Sequence, residues 1–397
     1  MRKIPIIITS ILSVVVFLVA CSKTDMSAET NGVYPAVVNM FGAEIDLNNL
    51  ANYAAQAKPA YIVKDNTGNN PITNAKATLG RVLFYDKNLS IDNTISCSSC
   101  HKQAFAFSDT ALISAGVAGG KSDRHSMRLV NERFAVESKF FWDERATSLE
   151  NQITQPIANH DEMGFSGQTG RANIAALLTK LQGVGYYNEL FKFVYGDITV
   201  TEPRLQECLA QFVRSIQSFD SKYDVGRAAV NNDRLPFPNF TTQENEGKDL
   251  FMTPPVFDAS SSRIGGGLGC NACHNAPEFD IDPNTKNNGV IALAVGAGQD
   301  ISVTRAPSLR DLVNNKGDLN TRLMHSGGIR DLATAVSHYG GFINDNRNLD
   351  NRLKPNGVNV QRLNLQQSEI AAVVAFLKTL AGTNVYTDKK WSTPFKQ

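Results

Sequence analysis

The sequence predicts a mostly α-helical protein that is built from two similar units. Apolar residues recur at helical spacing along much of the chain, and strand-like alternation is scarce. The string C-x-x-C-H occurs twice, about 170 residues apart, which is roughly one domain length. Each string follows an amphipathic segment and a loop. The two halves therefore resemble copies of one helical unit.

Two segments carry the clearest helical pattern, one before the first C-x-x-C-H string and one near the middle of the chain. Cys208 falls beside the second stripe, where a small buried side chain is expected rather than a reactive thiol. The stripes are Ala75, Leu79, Val82 and Leu83 in the first segment, and Leu205, Leu209, Phe212 and Ile216 in the second.

Capping residues predict the ends of two further helices. Thr241 and Glu244 form a capping-box pattern ahead of the second C-x-x-C-H string. The segment "LQQSEIAAVVAFLKTL" predicts the last helix, which we expect to begin at Asn364, with Gln367 three residues later, and to end at Gly382.

The C-x-x-C-H strings predict covalently attached haem of the c type. The two cysteines of such a string bind the two vinyl groups as thioethers, and the histidine binds the iron. A zinc site would need Cys and His pairs that converge on one metal, and a redox dithiol would have no use for the histidine. The first string is Cys97, Cys100 and His101, and the second is Cys270, Cys273 and His274.

The N-terminus predicts export from the cytoplasm. Arg2 and Lys3 precede the apolar run Ile6–Ala20, which has the length of a signal-peptide core rather than of a membrane span. The run ends in "LVAC", which resembles a bacterial lipobox and implies lipidation of Cys21. An ordinary secretory cleavage is the alternative. We expect a protein on the periplasmic side of the envelope, lipid-anchored to a membrane through this residue.

Size and charge limit the remaining possibilities. With 39 basic and 38 acidic residues, the chain shows no footprint for nucleic acid. A body of about 350 residues exceeds a single core and predicts two domains. The expected organisation is a lipoprotein signal peptide (1–20), a tether and extension (21–72), a first cytochrome c-like domain (73–229), a linker (230–243) and a second cytochrome c-like domain (244–397).

The motifs together resemble the bacterial di-haem cytochrome c peroxidases and their MauG-type relatives. The resemblance runs from Thr73 to Gly382 and rests on strings in the family's order and spacing. It implies a mostly α fold of two cytochrome c-like domains, each with one covalently bound c-type haem. The strings are "LGRVLFYDKNLS", "CSSCH", "FFWDERATSLENQITQPIANHDEMG", "GCNACH", "TRAPSLRDL", "MHSGG" and "AFLKTLAG".

The resemblance assigns roles to residues between the two haem strings. Glu162 matches the acid on the distal side of the first haem, Gln152 the distal amide, and Pro156 the turn between them. Trp142 matches the tryptophan that carries electrons between the haems. A carboxylate suits this place, because peroxide must move a proton between its two oxygens before they separate.

The first departure from the family concerns the loop after the first haem string. In the peroxidase branch, a histidine of this loop blocks the iron until the second haem is reduced. The matching loop, residues 107–123, has no histidine, which implies a first haem open to peroxide. His125 follows at the position of an asparagine near the family's interdomain calcium, and this argues against calcium as a cofactor.

The second departure concerns the sixth ligand of the second haem. The peroxidase branch uses a methionine downstream of the "HSG" histidine, but no methionine follows Met324, which we expect to have a packing role. Tyr339 occupies the position, as in MauG-type members, and His338 is its rival. His160, beside the distal acid, is expected at the surface.

Peroxide reduction by a small donor protein, such as a cytochrome c or a cupredoxin, is the leading predicted function. A MauG-like oxidation of a partner protein's side chains is the alternative. An electron-transfer cytochrome with both irons capped is less consistent with an intact Glu162 and Gln152. We expect no nucleic-acid partner and no membrane contact beyond the lipid anchor, and a homodimer stays open.

Overall fold

The computed structural model describes residues 33–136 and 139–396, and the predicted signal peptide and Cys21 lie outside them. The described chain is rich in helices, and its residues from Tyr34 onward form one compact unit. The α-helices are α1 (Pro35–Phe41), α2 (Asn74–Tyr85), α3 (Cys97–Cys100), α4 (Leu149–Ala158), α5 (Ile174–Gln182), α6 (Gly185–Tyr195), α7 (Glu202–Ser215), α8 (Lys222–Ala228), α9 (Thr242–Met252), α10 (Leu332–Gly341) and α11 (Gln367–Lys378).

Two short antiparallel hairpins are the sheets of the described residues. Strands β1 (Pro255–Phe257) and β2 (Arg263–Gly266) pair across an irregular register just before the second haem string. Strands β3 (His274–Asn275) and β4 (Asp280–Ile281) pair directly after it. The predicted mostly α fold is confirmed.

The apolar side chains form two cores. The first is built around α2, α4, α6 and α7, and the second around α9 and α11. Val385 and Trp391, from the C-terminal end of the chain, belong to the first core, as do Val37 and Tyr53 near the start of the described residues. The domain boundaries stay a prediction, and both ends of the described chain pack on the first core.

The stripe predictions and one cap agree with the structure. α2 begins after the cap Thr73, whose side chain accepts a hydrogen bond from the Lys76 amide. Cys208 is fully buried on α7. The capping box of Thr241 and Glu244 is present at the start of α9.

The predicted ends of the last helix were wrong. Asn364 has a φ of +49°, which places it in a turn before the helix. The cap is Gln366, whose backbone amide donates to Glu369 at 2.9 Å in a capping box. The helix ends at Lys378, before Gly382. Gln366 therefore caps the helix in place of Asn364, because the side chains of Gln366 and Glu369 each accept a hydrogen bond from the other's backbone amide.

Pro156 does not form the turn that we expected between Gln152 and Glu162. It lies inside α4, and the turn comes after the helix at Asn159. The Asn159 side-chain oxygen accepts hydrogen bonds from the amides of Asp161 and Glu162 at 2.9 and 3.2 Å. The side chain of Asn159 therefore shapes the segment that carries the predicted distal acid.

None of the helices in the described part of the chain combines the length and the apolar character that crossing a membrane requires.

Candidate active site

The first C-x-x-C-H string lies on the wall of a cavity between the helices of the first core. Cys97, Cys100 and His101 line this cavity together with Gln152 and Glu162. The two cysteines form the ends of α3, which begins with a capping box between Ser96 and Ser99. The structure thus brings the predicted haem-binding string and the predicted distal residues to one cavity.

The ring of His101 is oriented by two backbone carbonyls. Its Nδ1 lies 3.2 Å from the Phe107 oxygen and 3.0 Å from the Met127 oxygen, so Nδ1 carries the proton and donates. Nε2 then carries the free lone pair. A buried imidazole that is held in this tautomer is suited to binding a metal through Nε2.

Glu162 is partly buried, and burial raises the pKa of its carboxyl to about 7. Arg145 opposes this by lowering the pKa, while Asp123 and Asp161 add smaller increases. Within the described residues, the carboxylate of Glu162 has no hydrogen-bond donor. A carboxyl with this pKa can both take and return a proton near neutral pH.

A tight loop supports the backbone of Glu162. The loop is a hairpin closed by Ala115 and Lys121, and its Val117 amide donates to the Glu162 carbonyl at 3.1 Å. A Cβ atom on Gly116 would lie 1.8 Å from the Asp161 carbonyl oxygen. Only glycine allows the two backbones to approach this closely. This hairpin lies within loop 107–123, which has no histidine.

His125 lines the first cavity, but both of its ring nitrogens already have partners. Nδ1 lies 3.2 Å from the Leu112 carbonyl, and Nε2 lies 2.7 Å from the Thr321 hydroxyl. The imidazole is 3% exposed. His125 is therefore held in place by the surrounding protein, and neither of its ring nitrogens is left without a partner.

The same contacts do not fit a calcium site. Calcium takes oxygen ligands, whereas the expected asparagine position holds an imidazole that bonds to Thr321. Within residues 33–136 and 139–396, no group of three or more His, Cys, Asp or Glu side chains is placed to hold a metal ion.

The second C-x-x-C-H string lines a larger cavity of about 550 Å³. Cys270, Cys273 and His274 share its wall with Tyr339. His274 is partly buried, and burial lowers its pKa to about 4, although the nearby Pro307 backbone acts in the opposite direction. His274 is therefore neutral, as an imidazole that binds a metal must be.

Asn288 separates the two candidates for the sixth ligand of the second haem. Its side-chain Nδ2 donates to the Tyr339 hydroxyl at 3.2 Å and lies 3.4 Å from the Met324 sulfur. Its backbone carbonyl lies 2.9 Å from Nε2 of His338. Tyr339 lines the cavity, while His338 is held at the Asn288 backbone and does not belong to the lining.

Sequence reasoning missed Asn288. It lies 51 residues from Tyr339 in an irregular segment, so no local periodicity connects the two. The run "NN" at 287–288 was the available signal, since asparagine side chains often stabilise irregular backbone.

Trp142 lines both cavities. Its indole Nε1 donates to the His125 carbonyl at 2.8 Å, and its own carbonyl accepts from the amides of Thr304 and Arg305. Its ring meets the His325 ring edge-on, with the centroids 6.2 Å apart. Contacts from both halves of the chain therefore hold Trp142, the predicted path for electrons, between the two cavities.

His160 is bonded elsewhere. Its Nδ1 lies 3.0 Å from the Ser166 hydroxyl.

The residues around both cavities fit haem better than zinc. Burial raises the pKa of Cys97 and Cys270 to about 12, and of Cys100 and Cys273 to about 11. A structural zinc site takes four Cys or His ligands, and in the described residues no group of three or more His, Cys, Asp or Glu side chains is placed to hold a metal ion. The first cavity, at about 210 Å³, is below the range of about 300–1,000 Å³ that is common for ligand sites. The fit of haem to the first cavity therefore rests on Cys97, Cys100 and His101 rather than on the volume of the cavity.

The comparisons with known proteins agree with this donor set. Residues 74–231 match the family described as di-haem cytochrome c peroxidase. The methylamine utilization protein MauG of Methylophilus methylotrophus is 27% identical over 321 residues, which are 79% of this chain and 84% of that protein. The cytochrome c551 peroxidase of Nitrosomonas europaea is 29% identical over 321 residues, with 77% and 80% of the two chains covered. The chain is similar to di-haem cytochrome c peroxidases and MauG proteins along most of its length.

This similarity indicates an oxidoreductase of the haem peroxidase class and implies haem as its cofactor. Solved structures share the fold. A MauG-like protein associated with microbial copper homeostasis superposes with a TM-score of 0.63 at 24% identity, over 85% of this chain and 98% of that one. The diheme peroxidase BthA from Burkholderia thailandensis gives 0.56 at 21% identity, over 88% and 93%.

Proposed function

We propose that this protein reduces hydrogen peroxide to water at a haem held in the first cavity, with electrons relayed from a second haem. One observation carries the proposal: Glu162 and Gln152 line the same cavity as Cys97, Cys100 and His101. A haem in this cavity supplies the iron that binds peroxide and the electrons that reduce it. Reduction consumes two electrons and two protons for each peroxide, and yields two waters.

Glu162 handles the proton in this account. Its ionised carboxylate takes a proton from one oxygen of the peroxide and returns it to the other oxygen, which leaves as water. The pKa of about 7 keeps both protonation states accessible at neutral pH. Gln152, whose amide can donate and accept, orients the peroxide beside it.

His101 and His274 are proposed as the iron ligands from the protein side, and the four cysteines as the sites of covalent attachment. The backbone carbonyls of Phe107 and Met127 support this role for His101, since they leave Nε2 free. Mass spectrometry of denatured protein from a host that matures c-type cytochromes tests the attachment. Two haems retained on the chain would support covalent attachment, and a chain that retains no haem would contradict it.

Tyr339 is proposed as the sixth ligand of the second haem. Its position on the cavity wall supports this, as does the hydrogen bond that fixes the rival His338 to the Asn288 backbone. Trp142 is proposed as the electron path, because it borders both cavities.

The MauG-like alternative, in which a partner protein's side chains are oxidised, also has specific support. Tyr339 stands where methionine serves in the peroxidase branch, and loop 107–123 has no histidine. Under either function we place the protein on the periplasmic side of the envelope, anchored through a lipid on Cys21. A small donor protein and a homodimer belong to the same proposal.

The test is turnover of peroxide by the holoenzyme with a reduced cytochrome c as donor. Glu162→Gln keeps the shape but removes the proton acceptor, so turnover should fall by about two to four orders of magnitude while haem content holds. Asp161→Asn is the matched control, because it neutralises an exposed carboxylate one residue away and should retain near-normal turnover. Near-normal turnover in Glu162→Gln would contradict the proposal.

A further inference from the structure

Two adjacent tyrosines share one buried carboxylate beside the first haem string. The hydroxyls of Tyr186 and Tyr187 donate to the same oxygen of Asp86 at 2.6 and 2.7 Å. Their rings lie 4.7 Å apart at a tilt of 47°. Tyr187 is fully buried, and Tyr186 and Asp86 are 6% and 4% exposed. This cluster has no part in the peroxide chemistry described above.

The cluster lies close to where the first haem is attached. Cys97 is near enough to contribute to the raised pKa of Tyr187, after the larger effects of burial, Asp86 and Tyr186. Phe84, two residues before Asp86 on α2, lines the first cavity. Cys97, which would hold the haem, and Tyr187 are therefore neighbours in the first core.

We propose that Tyr187, with Asp86 as its proton acceptor, is a second redox site that gives an electron to the first haem when no external electron arrives. The inference rests on the proposed function, which supplies the oxidant as hydrogen peroxide. One electron leaves the Tyr187 phenol for the first haem, and the phenol proton moves to the Asp86 carboxylate. A neutral phenoxyl radical and a carboxylic acid remain. An external electron reverses both transfers.

Electrostatics favours this step. Asp86 is buried, and its side chain is bonded to the two phenols and to Asn88. Lys180 is close enough for Asp86 to favour its charged form, but among the described residues no cation forms an ion pair with this carboxylate. A buried carboxylate without a directly bonded cation is costly. Loss of one electron from the cluster removes this buried negative charge. Both phenols have a pKa raised above the ordinary value, chiefly by burial, so they are protonated beforehand and need the acceptor.

Tyr85 lacks what makes Tyr187 suitable. Its hydroxyl donates to the backbone carbonyl of Trp391 at 2.6 Å, and a peptide carbonyl is not a base that takes a proton. Tyr85 nevertheless lies directly before Asp86 in the chain, at the end of α2. It therefore serves as a matched control that differs in the acceptor.

Tyr186 extends the site away from the haem string. Its ring packs edge-on against Phe41 at 5.3 Å and contacts Phe395 at 6.5 Å, near the end of the chain. Asn88 donates to its hydroxyl at 3.1 Å. Exchange between the two neighbouring phenols would let the cluster hold the oxidising equivalent without exposing it to solvent.

The experiment is rapid-freeze electron paramagnetic resonance of the donor-free, fully oxidised holoenzyme after one equivalent of peroxide. We expect an organic radical whose hyperfine pattern changes when ring-deuterated tyrosine is incorporated. The signal should persist in Tyr85→Phe and be lost in Tyr187→Phe. Asp86→Asn should also lose it, because asparagine still caps the following turn but cannot take the proton.

The outcomes separate this inference from the proposed function. If the haem bands respond to peroxide but no tyrosyl signal forms, the inference fails and the peroxidase function stands. A signal of equal size in Tyr187→Phe and wild type would also overturn it. If the haem bands do not respond to peroxide, the proposed function fails and the inference fails with it.

Discussion

The backbone amide of Val117 donates a 3.1 Å hydrogen bond to the backbone carbonyl of Glu162. This bond ties the hairpin of residues 115–121 to the segment that carries Glu162, the residue proposed as the distal acid. The hairpin therefore holds the backbone of that segment in place.

A substitution at Gly116 should therefore disturb the active site through the backbone. In Gly116→Ala the new Cβ would lie 1.8 Å from the Asp161 carbonyl oxygen, so the Glu162 segment must shift. We expect the rate of reaction with peroxide to fall by about tenfold or more, as misplacement by about 1 Å commonly costs. Haem content should hold.

Gly341→Ala is the control for that substitution. A Cβ atom there has no neighbour within 4 Å, so the rate should match that of the wild type. Stopped-flow absorbance measures both variants. An unchanged rate in Gly116→Ala would show that the hairpin does not position the acid.

The raised pKa of Glu162 predicts the pH dependence of turnover. Glu162 must be ionised to accept the peroxide proton, and burial raises its pKa to about 7. The value of kcat/KM should therefore rise with pH up to about 7 and level off above it, with a loss of about tenfold per pH unit below. A profile that is flat between pH 5 and 8 would contradict a single base with this pKa, and Glu162→Gln should lack the step.

The ligand of the second haem can be assigned by two substitutions. Tyr339→Phe should change the absorption and resonance spectra of the second haem and leave the first unchanged, because Tyr339 lines the second cavity. His338→Ala should leave both spectra close to those of the wild type. The reverse pattern would assign the ligand to His338. Asn288→Leu removes the hydrogen bond to the Tyr339 hydroxyl and should give an intermediate shift.

Local patterns predicted α2, α7 and α9 and located the two C-x-x-C-H strings. Leu79 and Leu209 follow helical periodicity, and both are fully buried in the first core. The motif resemblance also pointed to Gln152 and Glu162, which line one cavity. These features depend on neighbours a few positions away, or on motifs whose order in the chain is informative.

Long-range contacts were beyond such patterns. Asn288 meets Tyr339 across 51 residues, and Gly116 meets Asp161 across a loop, so neither relationship leaves a periodic trace. The prediction of Asn364 as the helix cap was wrong for a different reason. Several polar residues precede α11, and the choice among them depended on the partner Glu369.

The central claim is that the first haem site is open to peroxide in the fully oxidised protein. It rests on the absence of histidine from loop 107–123 and on the two hydrogen bonds that hold His125. Stopped-flow mixing of the diferric holoenzyme with peroxide tests it most directly. The account predicts an immediate spectral change without prior reduction. A diferric protein that stays inert until one electron is added would contradict it, since another residue would then be closing the first site.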